Sequence, residues 1–137
     1  MLKLIIRFRP YAGYLLAATT ILILIVSSIP SLPTLKIKTA KSVIRLDYFI
    51  HFCEYGFLAF LAFLTFAGKN FKISFPKYFW IALMVAGFAM IDEFHQILIP
   101  GRVFNPRDLF SNFSGIAGAL AFCIVVFRII ARNMSKQ

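Results

Sequence analysis

The chain has 137 residues, 61% of them hydrophobic, and a net charge of +10 from fifteen Lys and Arg against five Asp and Glu. With a mean hydropathy of +0.84, it is too apolar for a soluble domain of this length, which excludes a soluble nucleic-acid binder despite the charge. Basic residues flanking apolar blocks are the dress of an integral membrane protein, whose first partner is the lipid bilayer. The length suits one domain, residues 1–137. Cys53 and Cys123 lie in apolar runs without metal or disulfide spacing; they are expected to pack as small hydrophobes.

Four blocks reach the roughly 20 apolar residues that a bilayer crossing needs. The first, residues 11–29, is uncharged, YAGYLLAATTILILIVSSI. Lys3, Arg7 and Arg9 before it resemble the start of a cleaved signal peptide. Its run is longer than a signal core, however, and no small-residue cleavage site follows, so a retained helix is expected. PSLP at 30–33 ends it, and a connection carrying Lys36, Lys38, Lys41 and Arg45 leads to the second block, residues 49–67, interrupted by His51 and Glu54.

GKNFKISFPK joins this to the third block, residues 78–99, which ends in MIDEFHQILIPGR. Pro100-Gly101 is a helix stop, because proline cannot continue the hydrogen-bond ladder and glycine accepts a left-handed cap. In NPRD, Asn105 is expected as N-cap, Pro106 at the first helical position and Asp108 near the positive end of the dipole. The fourth block covers residues 109–130. The fold expected is therefore all-α, a polytopic bundle of four transmembrane helices with short connections and no internal repeat.

Four spans put both termini and the second connection on one side. That side holds nine Lys and Arg and the other six, so the positive-inside rule places the termini in the cytoplasm. Every acid and histidine belongs to the opposite, external end: Asp47, His51, Glu54, Asp92, Glu93, His95 and Asp108. With helix three running to residue 99, Asp92 is expected about 10 Å below that surface. Asp47, His51 and Glu54 or Tyr55 share one helical face, as do Asp92, His95 and Gln96, with Glu93 about 100° round. Asp108, Asn112 and Gly115 share another, and Ser111, Gly115 and Ala119 form a strip of small residues suited to close helix approach.

A central acid costs about 2.5–3.5 kcal/mol on insertion, while each Leu, Ile, Phe or Val contributes only about 0.3–0.6. The acids should therefore face the bundle interior, with His51, His95, Arg102 and Arg107 as partners.

Taken together, D-x-x-x-H-F-x-E-Y at 47–55, D-E-x-H-Q-x-x-x-P-G-R at 92–102 and D-x-x-x-N-x-x-G-x-x-G at 108–118 resemble the VanZ-like family of small bacterial membrane proteins. The family's namesake is linked to resistance to the glycopeptide teicoplanin, which acts at the outer face of the membrane. The resemblance implies a bacterial cytoplasmic (inner) membrane protein. One departure is Tyr48, where the family often has lysine after the first aspartate; any neutralising role there falls to Arg45, Arg102 or no residue.

The leading functional expectation is a non-enzymatic envelope protein. Its outer-leaflet pocket is lined by Asp47, His51, Glu54, Tyr55, Asp92, Glu93, His95, Gln96, Arg102, Asp108 and Asn112. It would engage a lipid-linked cell-wall intermediate, a phospholipid head or a lipophilic glycopeptide, with arginines gripping phosphate or carboxylate. The alternative is an intramembrane hydrolase or transferase using a metal or an acid/base pair. DEFHQ lacks H-x-x-x-H spacing and no serine or cysteine is visibly paired with a base, so neither metal nor cofactor is assigned and enzymatic activity stays open. An ion-coupled transporter would need homo-oligomers, which also stay open. A structural reading stands beside these: Asp108 as a helix-start residue, Asn112 with Gly115 and Gly118 as packing, and the acids as a network holding three helices together.

Overall fold

The computed structural model describes residues 2–30, 36–38 and 43–136. Four helices in it are long and apolar enough to cross a membrane, so the expected all-α membrane architecture holds. The first span, Leu2–Ser27, joins α1 (Leu2–Phe8), a 3₁₀ turn (Arg9–Tyr11) and α2 (Ala12–Ser27). It starts well before residue 11. Pro10 lacks an N–H for an α-helical bond, and a single tighter turn absorbs that loss without ending the rod. In α1, Lys3 and Arg7 lie one turn apart and are exposed, while Ile5 is buried.

The following connection forms a small hairpin that the sequence reading did not foresee. β1 (Lys36–Lys38) pairs antiparallel with β2 (Val43–Arg45), with Ile37 opposite Ile44. Basic and β-branched residues alternate in KIK, and VIR opens with two β-branched residues, a short strand signal. Ser31, Leu32, Pro33 and Lys41 lie outside the described residues, as does the Arg45 side chain and with it the expected role of Arg45 beside Tyr48.

The remaining spans are α3 (Leu46–Phe66), α4 (Phe75–Gln96) and α5 (Pro106–Met134). Gly68 follows α3 with φ +67°, the left-handed stop that glycine adopts without strain. The α4 helix ends at Gln96, not at residue 99. A proline ring clashes with the carbonyl four residues before it, here that of Gln96. Residues 97–102 accordingly switch to three-residue turns, Leu98 N–H to His95 O (2.9 Å), Ile99 N–H to Gln96 O (3.1 Å) and Arg102 N–H to Ile99 O (3.0 Å), and Gly101 takes φ +79°. Asp92 therefore stands only four residues from the helix end, roughly 6 Å deep. At α5, Asn105 is the N-cap, its Oδ1 accepting the Arg107 N–H at 3.2 Å, with Pro106 beginning the helix as expected.

The α3 helix is the centre of the bundle. It packs against α2, α4 and, most extensively, α5, while α4 also meets α5. Tyr55, Leu58, Ala59, Ala62 and Phe63 of α3 are buried against Ile116, Cys123 and Phe127 of α5 and Tyr78, Ile81 and Ala89 of α4. Phe49, Phe57, Trp80, Leu83 and Phe110 instead point outward, as an apolar rim facing lipid tails should. Cys123 is buried as a small hydrophobe, whereas Cys53 lies on the exposed side of α3, because the inward face there belongs to His51, Glu54 and Tyr55.

What sets the α3–α5 distance is a pair of glycines. A Cβ on Gly115 would run into the Phe52 carbonyl oxygen and sit 2.9 Å from the Gly56 nitrogen; one on Gly56 would sit 3.2 Å from the Gly115 carbonyl oxygen. Both obstacles are backbone and cannot rotate away. Gly115→Ala is expected to lower the unfolding free energy in detergent by about 1–3 kcal/mol or more. Gly118→Ala, whose Cβ would meet only the Phe52 ring at 3.7 Å, should leave it unchanged or raise it by up to about 1 kcal/mol. Equal effects of the two in chemical denaturation would refute this account of the crossing.

Candidate functional site

Alternating helix directions gather the polar residues at one end of the bundle: the start of α3, the end of α4, the loop 97–105 and the start of α5. The opposite end carries both termini. Asp92 (2% exposed), Glu93 (0%), Gln96 (4%), Asp108 (9%) and Asn112 (0%) are buried; Asp47, His51, Glu54, His95 and Arg102 are partly buried.

Tyr55 donates its hydroxyl to Asp92 Oδ2 at 2.9 Å, tying α3 to α4. Glu93 Oε1 accepts the backbone N–H of Asn105 at 2.6 Å, so the carboxylate is held against the entrance of α5. Sequence reasoning missed that partner, since a backbone donor has no residue-type signature. Across the α3–α5 seam, His51 Nε2 stands 3.8 Å from Asp108 Oδ2, an ion pair when the imidazole is protonated. Glu54 lies within electrostatic reach of Asp92 and Arg102, and Glu93 of Asp108, Asp92 and Arg102. Three helices do meet here.

Arg102 behaves differently from a rim cation waiting for an anion. Its Nη2 donates to Val26 O at 2.9 Å and its Nε to Ile29 O at 3.3 Å, with a longer contact from Nη1 to Gln96 Oε1 at 3.4 Å. Val26 lies in the last turn of α2, where the dipole is negative; its carbonyl also accepts the Ile29 N–H at 3.2 Å and has a second lone pair for the guanidinium. Arg107 is exposed. His95 is half-buried, its side chain makes no hydrogen bond or ion pair among the described residues, and its Nδ1 is unpartnered; helical spacing puts it near Asp92 without joining it to the cluster. Asp47 is half-buried in the first turn of α3.

The telling feature is what stays unpaired. Asp92 Oδ1, Glu93 Oε2, Asp108 Oδ1, His51 Nδ1 and both polar atoms of the Asn112 side chain are buried without a hydrogen-bond partner. Most are acceptors, and a buried unpaired polar group carries a desolvation penalty of about 1–3 kcal/mol. Chemically, such a cluster accepts donors: an amine, a hydroxyl, an amide N–H or water. Among the described residues no three His, Cys, Asp or Glu side chains converge closely enough to hold a metal ion. The Ser111 and Ser114 hydroxyls are occupied by their own helix, donating to Arg107 O (3.0 Å) and Phe110 O (2.8 Å).

The family model described as VanZ/LLP1 matches residues 15–128, nearly all of the four-span bundle and every residue of the polar cluster. The chain belongs to the VanZ/LLP1 family. Comparisons with curated proteins and with solved structures found no match. The resemblance carried by the three motifs is thus sound, and a VanZ/LLP1 chain with four apolar spans is a multi-pass membrane protein. The three motifs also acquire a physical sense: the first supplies His51 and Tyr55, the second Asp92, Glu93 and Arg102, and the third Asp108, Asn112 and the close-contact Gly115.

Tyr55→Phe leaves both oxygens of the buried Asp92 without a partner. It is expected to lower stability by about 1–3 kcal/mol, and by much less in an Asp92→Leu background. A double-mutant cycle from denaturation in detergent should return a coupling energy of about 0.5–3 kcal/mol; additive effects would mean the bond contributes nothing.

Proposed function

We propose that this VanZ/LLP1 protein is a non-enzymatic component of the bacterial cytoplasmic membrane whose polar end faces outward and engages the polar head of an envelope molecule: a lipid-linked cell-wall intermediate, a phospholipid or a lipophilic glycopeptide. The observation that carries this reading is the set of unpaired buried acceptors on Asp92, Glu93, Asp108 and Asn112, drawn from two helices and set beside α3. Amine, hydroxyl or amide donors on a ligand head would satisfy them. The excess of basic residues beside the termini supports a cytoplasmic position for that end, and the family's link with teicoplanin supports a contribution to glycopeptide resistance. Since the Arg102 guanidinium is engaged by Val26, Ile29 and Gln96, anion gripping falls to the exposed Arg107.

An acid/base hydrolase or transferase acting on an envelope lipid is the second reading. It is favoured by one geometry, the His51–Asp108 pair at 3.8 Å, in which a carboxylate sits where it would orient an imidazole. Turnover of a labelled membrane-lipid extract by purified protein, lost in His51→Gln, would select it.

The leading reading is tested in a glycopeptide-susceptible bacterium expressing the protein. Wild type should raise the teicoplanin concentration needed to stop growth. Asp92→Asn and Glu93→Gln, at equal membrane abundance, should fall back towards the empty vector. Undiminished protection by both variants would remove the cluster from the function.

A further inference from the structure

The end of the bundle that carries the termini has a character opposite to the polar cluster. All five acids of the chain lie at the far end, while Arg9, Lys69, Lys72, Lys77, Arg128 and Arg132 stand here without a carboxylate side chain among them. Between the α3–α4 loop, the first turn of α4 and the last turns of α5 lies a cavity of about 180 Å³, walled by Lys72, Ile73, Phe75, Tyr78, Ile124 and Arg128, with Phe71 as its floor. Phe71 is buried with φ +54°, packs edge-on against Phe127 at 5.4 Å, and carries the Arg9 guanidinium 6.0 Å above its ring. The Arg9 Nε is itself buried and unpartnered. Tyr78 and Arg128 are within electrostatic reach of each other. A cavity of this size, with room for several waters, and fringed by cations with no acidic side chain among them, suits a phosphate group.

A second void lies in the same furrow. One helical turn deeper, α4 and α5 flank an open apolar groove of about 300 Å³, lined by Phe79, Leu83 and Ala86 on one side and Ile116, Ala117 and Leu120 on the other. Tyr78 and Phe79 are neighbours in sequence, and Ile124 and Leu120 are one turn apart. From Ile124 down to Phe113, the deepest wall residue, is eleven residues, or roughly 16 Å, close to half of the roughly 30 Å hydrocarbon core. Phe75, Phe79 and Trp80 are exposed beside the cationic cavity, as aromatic residues at head-group level often are. A cationic cavity at head-group height above an apolar groove of one leaflet's depth has the outline of a single phospholipid.

We propose that the α4–α5 furrow is a binding site for an anionic phospholipid of the leaflet at the terminal end. Lys72 and Arg128 hold its phosphate, as basic pockets between membrane helices do, and the groove seats one acyl chain. The site is separate from the polar cluster and does not depend on the function proposed for that cluster.

Trp80, the only tryptophan of the chain, supplies the readout. Its ring lies 5.7 Å from that of the groove-lining Phe79. The full chain is reconstituted in phosphatidylcholine vesicles containing brominated-chain phosphatidylglycerol or, separately, brominated-chain phosphatidylcholine, and the relative affinity is read from Trp80 quenching. Wild type is expected to prefer phosphatidylglycerol at least three-fold, and 10 mM inorganic phosphate should not reduce that preference. Lys72→Gln with Arg128→Gln, both exposed and so harmless to folding, should bring the ratio to about one. Ala117→Phe, which fills the groove and leaves the charges, should reduce it as well. Equal quenching by the two lipids in wild type would overturn the proposal, as would an undiminished preference in either variant. Loss of the preference on adding inorganic phosphate would assign the cavity to a free anion and overturn the lipid.

Discussion

Hydrocarbon offers no hydrogen-bond partner, and that single fact governs where this chain can put its acids. A charged or polar side chain carried into a membrane must be answered by protein, and answering it requires helices close enough for short side chains to meet. Here the closeness comes from Gly56 and Gly115, where α3 and α5 touch backbone to backbone. One turn towards the polar end from Gly115, Asn112 is fully enclosed; one turn further, Asp108 faces His51. With a methyl group at the crossing, α3 and α5 would have to move apart until it cleared the Phe52 carbonyl oxygen, which would lengthen the 3.8 Å approach of His51 to Asp108 and loosen the seal over Asn112.

Much of this was legible in the sequence, and the legible part is what periodicity and punctuation encode. Four apolar blocks gave four spans. Asn105 and Pro106 marked the start of α5, and the helical faces of Asp92 with Gln96 and of Asp108 with Asn112 and Gly115 are the buried faces. Where the reading fell short, the cause was local. Pro100 ended α4 at its i−4 carbonyl, and Pro10 tightened one turn of the first span without stopping it. The His95 ring satisfied the spacing rule and yet joined no partner among the described residues, because i+3 proximity on a helix surface does not fix which way a ring turns. The hairpin Lys36–Lys38 with Val43–Arg45 hid in a stretch marked only by its charge.

Partners were harder to foresee than positions. Glu93 is met by the Asn105 main-chain N–H, and Arg102 by the main-chain oxygens of Val26 and Ile29. Backbone groups are present at every residue and so leave no trace in composition. Both contacts involve the same short loop, 97–105, whose path is set by Pro100, by the left-handed Gly101 and by the Asn105 cap. The loop thereby does two jobs: its amide holds the Glu93 carboxylate, and its arginine fastens the first span to the cluster.

That second job bears on how the site is built. The first span is the least buried of the four, and its packing is chiefly against α3. At the polar end it gains a directional tie from a guanidinium whose planar fork reaches two carbonyls of the α2 terminus while a third nitrogen approaches Gln96. A lysine would offer its three donors from a single nitrogen, without the planar fork that here reaches the three oxygens from three separate nitrogens. Arg102 therefore acts as a strut, not as a bait for anions: it fixes the roof of the cluster and leaves the unpaired carboxylate oxygens of Asp92, Glu93 and Asp108 as the groups with hydrogen-bonding capacity to spare. The spare capacity at this end is therefore mostly for hydrogen-bond donors, whereas Lys72 and Arg128 stand at the opposite end of the bundle, away from all five acidic side chains.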